Sequence, residues 1–444
     1  MADILPFRGI RYNPEKIKDL SRVVTPPYDI ISPDEQERFH NRDEYNIIRL
    51  DLGKEFTDDT GHNNRYTRAA DYLSKWLSSK VLIQVDSPCI YFYELIYALP
   101  GGSQKTMKGF IALCKLEDFK SGKVVPHEYT LSKPKSDRLN LLRACNANLS
   151  LIFSLYSSAQ GTINDSIQRS IGNSAPGIDV LDDHNIRHRV WTVVDPETID
   201  LVKREMKNQT VYIADGHHRY EASLNYSNEL RKKGGLMSGN KNPSDYIMMY
   251  FANMAEPGLT VLPTHRLLFN LPASKLEGLT ERFDSHFLLK PFDFSRSGES
   301  GARQQLLDAM KKASPQEHLI GMYLKGDNRY ILLSLKDEGL LQKGPSARPF
   351  AWRRLDVAIL QSLILEEILG LSEESLKKQE NLSYVKDIEE VLQKVHSGKY
   401  QIAFLLNPTK IEEIKDVTSA GERMPQKSTY FYPKFLTGLV MYKF

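Results

Sequence analysis

Hydrophobic positions along the chain follow two periods. Segments 45–52, 90–98, 109–116, 149–156, 190–194, 210–214 and 246–252 are short apolar runs rich in aromatic and β-branched residues. Similar runs recur at 319–323, 330–335, 401–406 and 439–442. This pattern predicts strands. A period near 3.6 predicts helices over 64–79, 137–146, 197–207, 217–233, 276–283, 355–369, 385–396 and 408–420. Strands and helices are interspersed without strict alternation, which predicts an α+β fold with mixed sheets. Gly326-Asp327-Asn328 between two apolar runs reads as a hairpin turn. Segments 58–64, 157–173, 231–244 and 295–301 are polar connectors, none long enough to separate independent modules.

Composition narrows the function classes. The 444 residues hold 59 Lys+Arg and 56 Asp+Glu, a net charge of +3. Such a balance excludes a chain-wide binder of nucleic acid or membrane surface. Cys89, Cys114 and Cys145 are widely spaced and form no C-x-x-C pair, which argues against a disulfide framework or a zinc site. No apolar run approaches the roughly 18 residues of a membrane span. No leader pattern opens the chain, so a cytoplasmic location is expected.

The sharpest chemical feature is TVYIADGHHRYEAS, residues 210–223. An apolar strand runs into Asp215 and Gly216, and a helix opens on His217, His218 and Arg219. Gly216 permits a tight turn close to a ligand. The helix start favours an anion such as phosphate, and Arg219 adds planar donors. His217 and His218 offer hydrogen bonds or proton transfer near neutral pH. Asp215 suits a metal, a proton or a plain N-cap.

A second cluster, PHEYTLSKPKSDR over 126–138, gathers His127, Glu128, Thr130, Lys133, Lys135 and Arg138. It reads as an extended loop before a helix start near Asp137. Its cations suit phosphate oxygens, and Glu128 suits a general base or metal ligand. A solvated charged loop is the plain alternative. A third cluster, GERMPQKSTYFYPK over 421–434, combines Arg423, Lys427, Ser428, Thr429 and Tyr430. Its KST triplet lacks the glycine spacing of a P-loop. A core segment with buried tyrosines is the plain alternative there. Near the N-terminus, Pro26-Pro27 presents Tyr28 and Asp29 at a rigid turn. Asn46 and Arg49 fall on opposite faces of the strand predicted next. His265, in the polar turn 262–266, reads as a structural histidine. GxGxxG, GxSxG, HExxH and protein-kinase signatures are absent.

ADGHHR resembles the phosphate-binding motif of the ParB/sulfiredoxin-like superfamily, which includes free serine kinases with the same DGHHR pattern. VTPPYDIISP, PHEYTLSKPKSDRLNLLRA, ADGHHRYEAS, MMYFANM, LPTHR, AFLLNPTK and AGERMPQKSTYFYPK together resemble one bacterial family, first described as a domain of unknown function. Its members include pyrophosphate-dependent serine kinases, and the resemblance runs from about Leu5 to Phe444. It implies a ParB/sulfiredoxin-like core over 126–270, an N-terminal part over 1–125 and a C-terminal part over 271–444 closing the site. All three would pack as one unit.

The implied reaction moves a phosphoryl group from pyrophosphate to the hydroxyl of free L-serine, reversibly, with Mg²⁺. In this reading Glu128, Asp215 and His218 are catalytic, with Asp29 and Asp215 rivals to Glu128 as base. Gly216, His217, Arg219, Lys133, Lys135, Arg138, Arg423, Lys427, Ser428 and Thr429 bind phosphate. His127, Thr130, Tyr28, Asp29 and Tyr430 contact substrate, and Asp215 holds the metal. An ADP- or ATP-dependent kinase and a phosphoserine phosphatase of the same fold are the neighbouring alternatives. A ParB-like nucleic-acid-binding regulator is the alternative of another class, and the chain shows no basic recognition-helix pair after 222–233. The expected partners are small molecules, without nucleic acid or membrane. Monomer and homodimer both stay open.

Overall fold

The longest apolar runs pair into one nine-stranded sheet. The computed structural model describes residues 2–99, 102–130, 132–234, 242–295, 297–314, 316–342 and 348–444. It contains two compact units. Unit 1 is Met1–Pro126, Thr130–Thr260 and Pro433–Phe444, and unit 2 is His127–Tyr129 and Val261–Tyr432.

The sheet of unit 1 contains β1 (Ile4–Leu5), β2 (Ile90–Ala98), β3 (Gln104–Lys115), β4 (Val124–Pro126) and β5 (Ile152–Tyr156). It continues with β6 (Ile178–Leu181), β7 (Arg187–Val193), β8 (Val211–Asp215) and β9 (Tyr246–Asn253). Their spatial order is β4-β8-β5-β9-β3-β2-β7-β6, with β1 paired to β3. The pairs β8·β4 and β9·β5 are parallel and the others antiparallel. Central β9 is buried along its whole length, as its unbroken apolar run demands. Phe110 stacks on Phe251 at 5.0 Å inside the core.

The helices that matter for the site are α1 (Pro33–Arg42), α2 (Arg65–Ser78), α3 (Ser132–Cys145) and α4 (His217–Lys232). Ser32 and Glu35 form a capping box at the start of α1, with Pro33 in the first turn. The last residues return to unit 1, where Thr437 and Thr25 bridge and Tyr442–Lys443 pairs with Ala147–Asn148.

Unit 2 has an antiparallel sheet of β10 (His265–Leu268), β11 (Phe287–Asp293), β12 (Leu319–Leu324), β13 (Arg329–Leu335), β14 (Leu382–Val385) and β15 (Ile402–Leu405). Its order is β11-β13-β12-β15-β10-β14. The turn at Gly326 joins β12 to β13 as a hairpin, as expected. Leu306, Leu319, Val391 and Leu405 lie in its separate core.

The mixed α and β architecture with several sheets agrees with the sequence pattern, and three details differ. Segment 45–52 is a turn and a short helix, Ile48–Asp51, rather than a strand. Buried Asn46 accepts from the Ile48 N–H at 3.0 Å and donates to the Arg22 carbonyl at 2.6 Å, so local side-chain bonding overrides β-propensity. Helix α3 begins at Ser132, not near Asp137, because Pro134 fits a first turn that needs no N–H from it. The strand over 439–442 shrinks to Tyr442–Lys443. A border near 125 would cut through one sheet, since β2 and β3 pair with β7 and β9. Part of 231–244 and Arg296 lie outside the described residues.

Candidate functional site

Strand β8 delivers Asp215 from the core to its C-terminal end. The register against β5 shifts between Ile213 and Asp215, an irregularity after which Asp215 pairs with Phe153. Gly216 follows at φ +93°, ψ 25°, in the left-handed region. A Cβ there would lie 3.0 Å from Arg219 Nε and 3.1 Å from its Cζ. Glycine therefore provides both the turn and the space for the folded-back guanidinium.

Arg219 Nη2 donates to Asp215 Oδ2 at 2.8 Å, and Nη1 donates to the Leu151 carbonyl. Its Nε is buried without a protein hydrogen-bond partner. Lys434 Nζ donates to Asp215 Oδ1 at 2.8 Å. Phe435 packs on Tyr250 at 4.3 Å and on Phe153 at 5.0 Å, which fixes Lys434 beside it. Burial alone would raise the Asp215 pKa. Lys434, Arg219 and His217 outweigh it and hold the carboxyl well below its usual range. Two cations and the positive end of α4 thus surround one carboxylate. A small cleft beside them is lined by Pro27, Ser150, Leu151, Asp215, Arg219 and Leu436. His217 is buried and His218 half-buried on the first turn of α4.

The second cluster is divided. Arg138 is 5% exposed and donates to Asp51 Oδ1 at 2.9 Å, the Asp51 carbonyl at 2.9 Å and Asp137 Oδ2 at 2.8 Å. Its guanidinium lies 3.9 Å from the Tyr28 ring centre. The Arg138 guanidinium, expected to clamp pyrophosphate, here donates within the protein and holds α3 against Asp51. Burial raises the Asp51 carboxyl, with Arg138 and Arg219 opposing. Lys135 and Thr130 both bond Glu221 of α4, at 3.0 and 2.8 Å, so they tie the chain to that helix. Lys133 and Asp29 are exposed.

In unit 2 the third cluster folds around Glu128. Its Oε1 accepts from the backbone N–H of Ser428 at 3.1 Å and of Thr429 at 3.2 Å, and from Thr429 Oγ1 at 3.3 Å. His127 Nε2 lies 2.8 Å from Thr429 Oγ1, and the Met424 N–H donates to the His127 carbonyl at 2.7 Å. Ser428 Oγ donates to the Pro425 carbonyl at 2.6 Å. The loop expected to bind phosphate through Ser428 and Thr429 therefore cradles this protein's own carboxylate. Lys427 sits at φ +56°. Arg423 stacks on Tyr129 at 5.2 Å, and Tyr430 accepts from Lys386 at 3.0 Å.

Asp215 does not fit a resident divalent ion, because each of its oxygens already takes a cationic donor. Among the described residues no group of three or more His, Cys, Asp or Glu is placed to hold a metal. Three residues of these networks escape sequence reasoning. Lys434 closes the third motif, yet its partner is 219 positions away. Asp51 ends a segment that reads as a strand. Arg266, 4% exposed, donates to the Lys427 carbonyl at 3.0 Å and stacks on Tyr384. His265 is structural, accepting the Leu406 N–H at 3.2 Å.

Among solved structures, the chain is similar to a conserved hypothetical protein from Pyrococcus furiosus at 13% identity and a TM-score of 0.33, covering 73% of this chain and 91% of that one. It is similar to a free serine kinase in complex with AMP at 12% identity and 0.34, covering 74% and 92%. It is also similar to a C-terminally truncated SbnI from Staphylococcus aureus at 11% identity and 0.34, covering 74% and 85%. Likenesses this distant carry no argument about activity. No match was found among curated proteins. No helix among the described residues is long and apolar enough to cross a membrane. The family model described as protein of unknown function (DUF1015) matches residues 4–358, most of the sequence, and the chain belongs to that family.

Proposed function

We propose that this protein is a phosphotransferase that moves a phosphoryl group from pyrophosphate to the hydroxyl of free L-serine, reversibly. One observation carries the phosphate site: Lys434 and Arg219 converge on Asp215 at the start of α4, with Arg219 Nε buried and unpartnered behind Gly216. The motif resemblance to pyrophosphate-dependent serine kinases supplies the substrates. A ParB/sulfiredoxin-like core carrying β8 and α4 belongs to the same proposal.

Phosphoryl transfer needs positioning and positive charge more than covalent chemistry. The first turn of α4, Lys434 and Arg219 supply that charge in this reading. Asp215, held ionised, is a weak base and acts as a positioning residue for both cations. His218 is the group assigned to proton transfer with the serine hydroxyl. Glu128 holds the 424–429 loop through Oε1. Mg²⁺ neutralises phosphate oxygens when bound.

The test is O-phosphoserine formation, followed by phosphorus NMR, with pyrophosphate, ADP and ATP supplied separately. Product with pyrophosphate alone is expected. Product only with a nucleoside phosphate overturns the donor, and phosphate release from O-phosphoserine in water overturns the transferase assignment.

A further inference from the structure

We propose that unit 1 carries a second anion site, between α1 and α2, that takes a small phosphate-bearing molecule. A pocket of about 220 Å³ there is lined by His40 of α1, Arg49, Lys54, and Arg65, Arg68 and Tyr72 of α2. None of its lining residues is a carboxylate, and none lines the cleft beside Asp215.

The pocket floor is built. His40 is 9% exposed, and its Nε2 has no hydrogen-bond partner. Arg49 Nε is likewise buried and unpartnered. The Arg49 guanidinium is fixed by donation from Nη2 to the His40 carbonyl at 2.8 Å. Arg68 is held in a fork by Asp59 at 2.6 and 3.0 Å, and it also donates to the Lys54 carbonyl at 2.9 Å. Lys54 pairs with Glu37, and Arg65 pairs with Glu55 and Asp137. Glu37 and Glu55 are 56% and 70% exposed, so their pairs compete weakly with an entering anion, whereas Asp59 and Asp137, 18% and 16% exposed, hold Arg68 and Arg65 firmly in place.

The local field is consistent with this. Burial, then Arg49 and Lys54, push the His40 pKa down to about 4. Arg49, with its unpartnered Nε, and Lys54 meet the least competition around this volume, and Arg65 and Arg68 add positive charge beside them, which suits the dense charge of a phosphate group.

Equilibrium dialysis of the full chain with labelled inorganic phosphate tests the site. Lys54→Ala and Arg68→Lys are each expected to weaken one class of binding about tenfold while O-phosphoserine formation is unchanged. In the wild type, the His40 imidazole signal is expected to shift as phosphate is added, a readout independent of how the variants fold. Loss of one equivalent in Lys54→Ala supports the pocket even if α4 binds no phosphate. Isotherms identical to wild type in both variants, with a fixed His40 signal, overturn it. Loss of transfer together with binding also overturns it, because the pocket would then belong to the reaction centre.

Discussion

Gly216 joins two constraints at one residue, a positive φ and a guanidinium 3.0 Å from where a Cβ would stand. Gly216→Ala is expected to cost about 1–2 kcal/mol in urea unfolding and to remove most transfer activity. Wild-type turnover in that variant would place the phosphate site elsewhere. Lys434 and Asp215 form the next prediction. The folded Asp215 carboxyl lies below its ordinary value of 3.8, so its stabilisation is complete above that pH and is lost as pH falls below it. Lys434→Met is therefore expected to cost about 2 kcal/mol at neutral pH. The gap from wild type should narrow as pH falls below 3.8. Parallel denaturation curves across that range would contradict this. His218→Ala is expected to lose most activity with an unchanged unfolding midpoint.

At the level of elements, β8 and α4 were readable because an apolar run ends in Asp-Gly before a helical pattern. The register shift just before Asp215 was not, since register depends on the partner strand β5. The start of α3 was misplaced because charged residues around Pro134 look like a loop until the first turn forms. The 424–429 loop shows the same limit. Its hydroxyl content predicts an anion, and the anion it holds is Glu128, about 300 positions earlier in the chain. Glu128→Ala leaves two backbone N–H groups without this acceptor and is expected to increase amide exchange at Ser428 and Thr429. Glu128→Gln retains an acceptor oxygen and is expected to restore most of that protection. Equal exchange in wild type and Glu128→Ala would show that the cradle is not held by this carboxylate.

The whole molecule joins distant segments. Residues 433–444 belong to unit 1, where they bring Lys434 to Asp215 and pair with 147–148. Truncation after Tyr432 is expected to lower the unfolding temperature and remove activity, as measured by calorimetry and serine phosphorylation. An unchanged melting profile would mean that this return segment adds nothing to unit 1. The near-neutral charge of the sequence gains meaning at this scale. Six of its cations form two local groups in unit 1, at the start of α4 and in the pocket between α1 and α2. Local periodicity determined most strands and helices, and the DGHHR turn marked itself through residue type and spacing. The tertiary structure alone decided which cations reach which carboxylate. It also decided which guanidiniums are fully paired within the scaffold, as at Arg138, and which keep a buried unpartnered Nε, as at Arg219 and Arg49. The reason is physical. Backbone period is written in neighbouring residues, whereas charge pairing depends on chain segments that meet only after the sheet has formed.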